Sequence, residues 1–301
     1  MTTTMRRGHR GRLHHSPATA AAFLAPKTLL FVAFVLVPFV FTLVLAFSRG
    51  TLLRGFTFVG LDNVRSLAHD DLFWHTLKNT AVYLVVAVPL NIVAPLLVAV
   101  LISSTLPGMR VYRSLIYIPS LLSVVATGLI WKVLIDPDVG PLYGFFNKAL
   151  GWDLPWLSNG LFAIVFIAVI SAWSGIGFHS IIFMAGINDI PQELYEAASI
   201  DGAGPVRSFV AITLPLLKPV IQIVLVLVTI ASIQVFDMIY VMTQGGPGTS
   251  TYTVMWYIYQ NVFGGGSIGY AATMGVVMLL VGLAISGFYM RLTRTDDSTY
   301  D

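Results

Sequence analysis

Asn188 to Pro219 reads NDIPQELYEAASIDGAGPVRSFVAITLPLLKP and is the most charged stretch in the second half of the chain. Ile190–Pro191 followed by Glu193 opens a helix well, because proline suits the first turn and an acid there faces the positive end of the helix. The spacing predicts a short helix over Gln192 to Ile200, which Asp201–Gly202–Ala203–Gly204–Pro205 then stops. A second short helix follows from Val206, and Leu214–Pro215 marks another boundary. This helix–turn–helix is too short to cross a bilayer. The run before it, Leu161 to Ile187, and the run after Lys218–Pro219, ending near Met242, are both apolar and long enough to do so. From the residues alone, the loop reads either as an amphipathic connector lying on the membrane or as an element with work on the inner face.

Composition supports a membrane setting. The 301 residues include only 17 Lys or Arg and 14 Asp or Glu, 10% charged against 56% hydrophobic, with a mean hydropathy of +0.82. A soluble domain carries roughly 25% charge to wet its surface. Disorder is excluded by the apolar content, and nucleic-acid binding by the lack of any basic run beyond the N-terminus. With no Cys, disulfide scaffolds, thiol nucleophiles and Cys-based metal sites are excluded as well.

Outward from the loop, gaps between charges mark the other spans: Thr28 to Phe47, Val82 to Ile102, Arg113 to Lys132 and Ile268 to Met290. The fold class expected is an all-α polytopic membrane protein of about six transmembrane helices, with Pro38, Pro89, Pro95 and Pro119 tolerated inside them. The first run is too long for a signal-peptide core and LAFSRG is no cleavage site, so it reads as a retained helix. The Arg-rich segment before it, residues 1–18, reads as a basic cytoplasmic tail near anionic headgroups of membrane lipid. With both termini inside, the transmembrane domain covers 19–291, the inner loop 188–218, and a second cytoplasmic tail 292–301. Arg6, Arg7, Arg10, Arg12, Lys27, Arg110, Arg113, Arg207, Lys218, Arg291 and Arg294 then lie inside, outnumbering Arg49, Arg54, Arg65, Lys78, Lys132 and Lys148 outside. Of the outer loops, the middle one carries Asp136–Pro137–Asp138 turn chemistry and interfacial Trp152 and Trp156.

Polar side chains at membrane depth are expensive and mark candidate solute paths. The fourth run carries Ser171, Trp173, Ser174, Gly175, Phe178 and His179; the fifth carries Thr229, Ser232, Gln234 and Asp237. Hydroxyls, amides and rings together suit a sugar. The competing reading is that the serines and glycines are helix-packing contacts, that Trp173 and His179 are bundle residues, and that Asp237 braces a helix end. Gly245–Gly246–Pro247 reads as a turn and not a phosphate loop, since no Gly-Lys-Ser/Thr follows. An intramembrane enzyme lacks any His/Asp/Glu cluster at one depth, and an ion-coupled transporter has only Asp237 in its favour.

Glu196, Ala197, Ala198, Gly202, Ile212, Leu214 and Pro215 form an ungapped pattern, Glu-Ala-Ala, three residues, Gly, nine residues, Ile-x-Leu-Pro. It resembles the signature loop of permease subunits of binding-protein-dependent ABC importers. FVGLDNV (Phe58 to Val64), NTAVY (Asn79 to Tyr83), VFDMIYVMTQGGP (Val235 to Pro247) and GYAATMGVVMLL (Gly269 to Leu280) resemble the carbohydrate-uptake branch, of the maltose/glycerol-phosphate type and its first permease. The resemblance implies a MetI-like fold in the cell membrane and a coupling helix in which Glu196 contacts a cytoplasmic ATPase subunit, Ala197 and Ala198 permit close approach and Gly202 turns the chain. It implies a solute path that includes Ser171, Ser174, Gly175, Phe178 and Ser232; Gln234 and Asp237 are added from polarity and depth. It also implies a second homologous permease, two ATPase subunits and an extracytoplasmic binding protein as partners. The chain itself is then no enzyme and binds no cofactor, ATP and Mg being used by the ATPases. The solute expected is a sugar, oligosaccharide or polyol, with a glycerol-phosphate-like solute as the alternative.

Overall fold

The computed structural model describes residues 17–51, 55–103 and 108–292. The two tails lie almost wholly outside these residues, as does Arg54. After α1 (Pro17–Phe31) and α2 (Val37–Ala46), joined through π-helical Val32–Leu36, the chain forms a small hairpin. In it β1 (Ser48–Thr51) pairs antiparallel with β2 (Gly55–Phe58), a short addition to the helical fold that the sequence predicts. Then follow α3 (Asp62–Ala68), the long α4 (Asp71–Ile102), α5 (Met109–Leu121), α6 (Val124–Leu134) and the single turn α7 (Pro141–Tyr143). The second half holds α8 (Gly160–Asn188), α9 (Gln192–Ile200), α10 (Pro205–Ser208), α11 (Leu214–Leu216), α12 (Lys218–Ile233), α13 (Asp237–Met242), α14 (Val254–Phe263) and α15 (Ile268–Leu292).

Among the described residues, four helices are long and apolar enough to cross a membrane uninterrupted: Phe23–Ala46, Asp71–Ile102, Gly160–Asn188 and Ile268–Tyr289. The other two expected spans are not single straight helices: α5 and α6 meet at 94°, and at the start of the fifth span the α10–α11 arm of the inner loop meets α12 at 68°. The run Arg113 to Lys132 is therefore not one straight helix. Leu122 and Ser123 are extended, and the Ser123 hydroxyl accepts the Ala126 N–H at 3.2 Å, capping a new helix where the old one stops after Pro119. The fifth run is interrupted too: α12 ends at Ile233, residues 234–236 are not helical, and α13 begins at Asp237. Nor is Trp156 interfacial. It is buried, packed against Phe146, Phe162 and Phe166, and its indole N–H donates to Asn147 Oδ1 at 2.8 Å.

α4 and α8 form the spine. Ile164, Ile167, Ala168 and Ile170 of α8 are buried with Tyr83 and Ala87 of α4; further along, Phe183 of α8 meets Val88, Leu96 and Ala99 of α4 with Val224 and Val228 of α12. Ser180 Oγ donates to the Pro95 carbonyl at 3.0 Å, which ties the two helices where proline interrupts the ladder. The first span stands apart: most of it is exposed, and only Leu45 and Ala46 at its end are buried, against Ala272 of α15.

One carboxylate gathers the hairpin end of the bundle. Asp70 caps α4 by accepting the N–H groups of Leu72 (2.9 Å) and Phe73 (3.2 Å) on Oδ1. Its Oδ2 accepts the phenols of Tyr257 on α14 at 2.8 Å and Tyr270 on α15 at 2.5 Å. Burial pushes the Asp70 carboxyl up, but these bonds outweigh it and hold the group below its ordinary 3.8. Burial, with Asp70 opposite, pushes the Tyr257 phenol up to about 12. Asp70→Ala removes a cap and the acceptor of two phenols, and is expected to destabilise the folded chain by about 2–4 kcal/mol, read as a fall in Tm in lipid nanodiscs. Because the folded value is depressed, the stabilisation is present above the ordinary 3.8 and is lost as pH falls through the lower folded value. Wild type and variant should therefore converge in Tm only in that acid range.

Candidate functional site

A cavity of about 490 Å³ opens between α4, α8 and the break that follows α12. Ser171, Ser174, Gly175, Phe178 and His179 reach it from α8, while Ser232, Gln234 and Asp237 reach it from α12 and the break. Seven of the eight candidate path residues thus meet around one space. Trp173 does not: it faces away and packs edge-on against Trp131 of α6, ring centroids 5.5 Å apart. Thr229 is fully buried behind Ser232 and is also absent from the lining.

Local chemistry explains this surface. Ser174 Oγ donates to the Ser171 carbonyl at 2.9 Å within its own helix. Across the gap to α5, Ser120 Oγ donates to the Ser174 carbonyl at 2.6 Å and accepts the Phe178 N–H at 3.2 Å. One serine thus bonds both a carbonyl and the N–H four residues on, bracing the continuous α8 from the neighbouring helix. The helices come this close because Gly177 has no side chain; a Cβ there would lie 2.6 Å from the Ile116 carbonyl oxygen. Gly175 likewise faces Asn91 of α4, whose Oδ1 would lie 2.7 Å from an added Cβ.

The break that makes the other wall is held from a distance. Thr253, which caps α14, donates from Oγ1 to the Val235 carbonyl at 3.0 Å, satisfying a backbone group that the interrupted helix leaves free. Gly245 and Gln244 adopt left-handed backbone, φ 84° and 51°, so Gly245–Gly246–Pro247 is the turn expected.

Tyr83 and Asn91 of α4 also line the cavity, Tyr83 being buried beside Ser171. Neither was expected there. Asn79, Tyr83 and Asn91 stand four and eight residues apart, one face of a helix, and that polar stripe in the second span is the signal that could have found them.

At the opposite end, α9 carries Glu196 and Ala197 on its exposed side. Gly202 ends it with φ +75°: its N–H bonds to the Ser199 carbonyl at 3.1 Å and the Ala203 N–H to the Ala198 carbonyl at 2.8 Å. This is the glycine-closed helix end that only a residue without Cβ adopts at no cost. Leu194, Ile200 and Val206 are exposed around it, Ile200 at 86%. Ile212 lies in the π-helical turn Phe209–Thr213 and is partly buried; Leu214 and Pro215 follow in α11 and are exposed. Tyr195 Oη and Thr213 Oγ1 bond at 2.9 Å, bracing α9 against the arm that leads into α12.

The model of the family described as "binding-protein-dependent transport system inner membrane component" matches residues 77–295, which contain both the cavity and this loop. The chain belongs to that family. Among curated permeases it is 34% identical to the sulfoquinovosyl glycerol transport system permease protein SmoG of Agrobacterium fabrum, over 92% of this chain and 91% of that one. It is 32% identical to the arabinooligosaccharides transport system permease protein AraP of Bacillus subtilis (95% and 92%) and 34% to the lactose transport system permease protein LacF of Rhizobium radiobacter (88% and 90%). A chain in the crystal structure of a bacterial ABC transporter involved in import of the acidic polysaccharide alginate shares the fold of this permease. The TM-score is 0.82 at 24% identity, over 92% of this chain and 96% of that one.

Gly175→Val is expected to push α8 off Asn91 at a cost of about 1–3 kcal/mol. Ser174→Ala removes only an intrahelical bond and should stay within about 1 kcal/mol. Thermal unfolding of the two variants side by side checks this difference.

Proposed function

We propose that this permease forms half of the translocation path of an ATP-driven importer for a neutral carbohydrate, delivered by an extracytoplasmic binding protein. The observation that carries the reading is the cavity: hydroxyls of Tyr83, Ser171, Ser174 and Ser232, the amides of Asn91 and Gln234, and the ring of Phe178 meet in one space with no Lys or Arg among its lining residues. Sugars are held by such sets, polar groups at the hydroxyl edges and rings on the apolar faces. Asp237 in the same wall disfavours an anion, which argues against a glycerol-phosphate-like solute. The relatives named for lactose and arabinooligosaccharides support the class of solute; the alginate transporter, whose own solute is an acidic polysaccharide, was crystallised with a pentasaccharide-bound periplasmic protein and supports delivery by a binding protein.

In this reading both termini and the α9 loop face the cytoplasm, where Glu196 contacts one of two ATPase subunits, which use the ATP and Mg. Ala197, Ala198 and the exposed Leu194 and Ile200 sit in the groove of that subunit, and Gly202 sets the angle of the loop. A second, homologous permease completes the path. Closure of the ATPase pair pulls on α9, and the Tyr195–Thr213 bond passes that movement into α12, whose far end is the cavity wall.

Two measurements test this. Glu196→Lys should reduce uptake to background while membrane insertion stays at the wild-type level; loss of insertion instead would sink the coupling role. Titration of the cognate binding protein against arabinotriose, lactose, maltotriose, xylitol, glycerol 3-phosphate and a tripeptide should give tight binding of a neutral carbohydrate, and tight binding of the tripeptide alone would overturn the solute class.

A further inference from the structure

The cavity has an aromatic approach. Phe236 lines it, and Phe236, Tyr240 and Tyr259 form a triangle of rings with centroids 5.6, 5.1 and 5.7 Å apart. Beyond them Phe263 meets Tyr259 at 5.0 Å. Buried Trp256 lies behind, stacked on Phe236 at 6.0 Å and on Tyr259 at 5.6 Å, and fixes both. Exposure rises along the row: Phe236 and Tyr259 are half-buried, Tyr240 is 43% exposed and Phe263 74%. Phe263 ends α14 within five residues of Ile268, where α15 begins beside the hairpin. The row therefore leads from the hairpin end of the bundle to the solute cavity.

We propose that Phe263, Tyr259, Tyr240 and Phe236 form an entry subsite, on which sugar rings of the incoming carbohydrate stack before they reach the cavity. The inference rests on the carbohydrate reading above and adds a second, outer binding position to it. Two features favour a sugar over a lipid chain or a protein helix. The array is continuous with the cavity through Phe236, so its occupant is the cavity's occupant. Its exposed part also combines ring faces with the hydroxyl of Tyr240 and, one turn back, the exposed carboxylate of Asp237. A sugar ring has the matching surface, apolar C–H faces bordered by hydroxyls, whereas an acyl chain leaves those polar groups unmatched.

The test uses the complete transporter in proteoliposomes with its loaded binding protein. Tyr240→Leu, Tyr259→Leu and Phe263→Leu remove a ring and keep an apolar side chain; Tyr240→Trp and Tyr259→Trp restore one. Uptake of arabinotriose, lactose and maltotriose is compared with uptake of arabinose, galactose and glucose. The subsite predicts that each Leu variant raises KM for the transported oligosaccharide by roughly 3–10-fold, with maximal rate nearly unchanged. The matching monosaccharide, too short to span row and cavity, should be affected less, and the Trp variants should recover wild-type KM. Unchanged KM in all three Leu variants overturns the subsite, as does equal loss for oligosaccharide and monosaccharide. A fall in co-purified second permease also overturns it, by assigning the rings to the subunit interface. Gln234→Ala separates the two levels. If it abolishes sugar uptake while the Leu variants are silent, the cavity reading stands and only the entry subsite falls. If wild type moves none of the six sugars, both fall.

Discussion

Every backbone N–H and C=O inside an apolar bundle needs a partner, and this constraint shapes the whole permease. Straight helices meet it by themselves, yet a chain of straight helices would leave no space for a solute. Here two expected spans are interrupted, and at each interruption a hydroxyl takes over a backbone bond. Ser123 caps the new helix after the α5–α6 bend, and Thr253 holds the Val235 carbonyl beyond the end of α12. Ser120 braces the continuous α8 from α5, bonding both the Ser174 carbonyl and the Phe178 N–H. The break after α12 forms one side of the cavity wall.

The same arrangement links the two ends of the molecule. α12 begins beside the α9 loop and ends at Ile233, one residue short of Gln234 in the wall. The Tyr195–Thr213 bond ties α9 to the arm entering α12, and Phe183 of α8 packs on Val224 and Val228 halfway along it. In the proposed coupling, packed side chains and a continuous helix connect α9 with the cavity.

Much of this was legible in the sequence, because the signals were local. The Pro191–Glu193 start and the glycine stop defined α9, with Gly202 in the left-handed backbone its position demands. Polar residues in long apolar runs marked most of the polar side chains that line the cavity. The failures have physical causes. Hydropathy averages over 20 or so residues, so it could not see that Ser123 would cap a helix inside an apolar run. Polarity and depth do not encode direction: Trp173 sits two residues from Ser171 but faces Trp131, about 200° around the helix from the cavity side. Asp70 and its two tyrosines lie about two hundred positions apart in sequence, and no pattern within one segment announces such a contact.

The cavity residues also bring packing and the proposed solute path onto the same side chains. Serine and glycine in spanning helices are packing residues by default, and here Ser174, Gly175 and Ser232 do pack; yet they also face the open space. The two roles coincide for a mechanical reason. In the proposed path, a wall that closes and reopens around a solute needs surfaces that can meet each other once the solute has left. Small side chains whose hydroxyls bond within their own helix satisfy both conditions, since they need no partner across the gap in either state. Ser174, bonded back to the Ser171 carbonyl, is such a residue. Trp173, packed against Trp131, stands outside that wall.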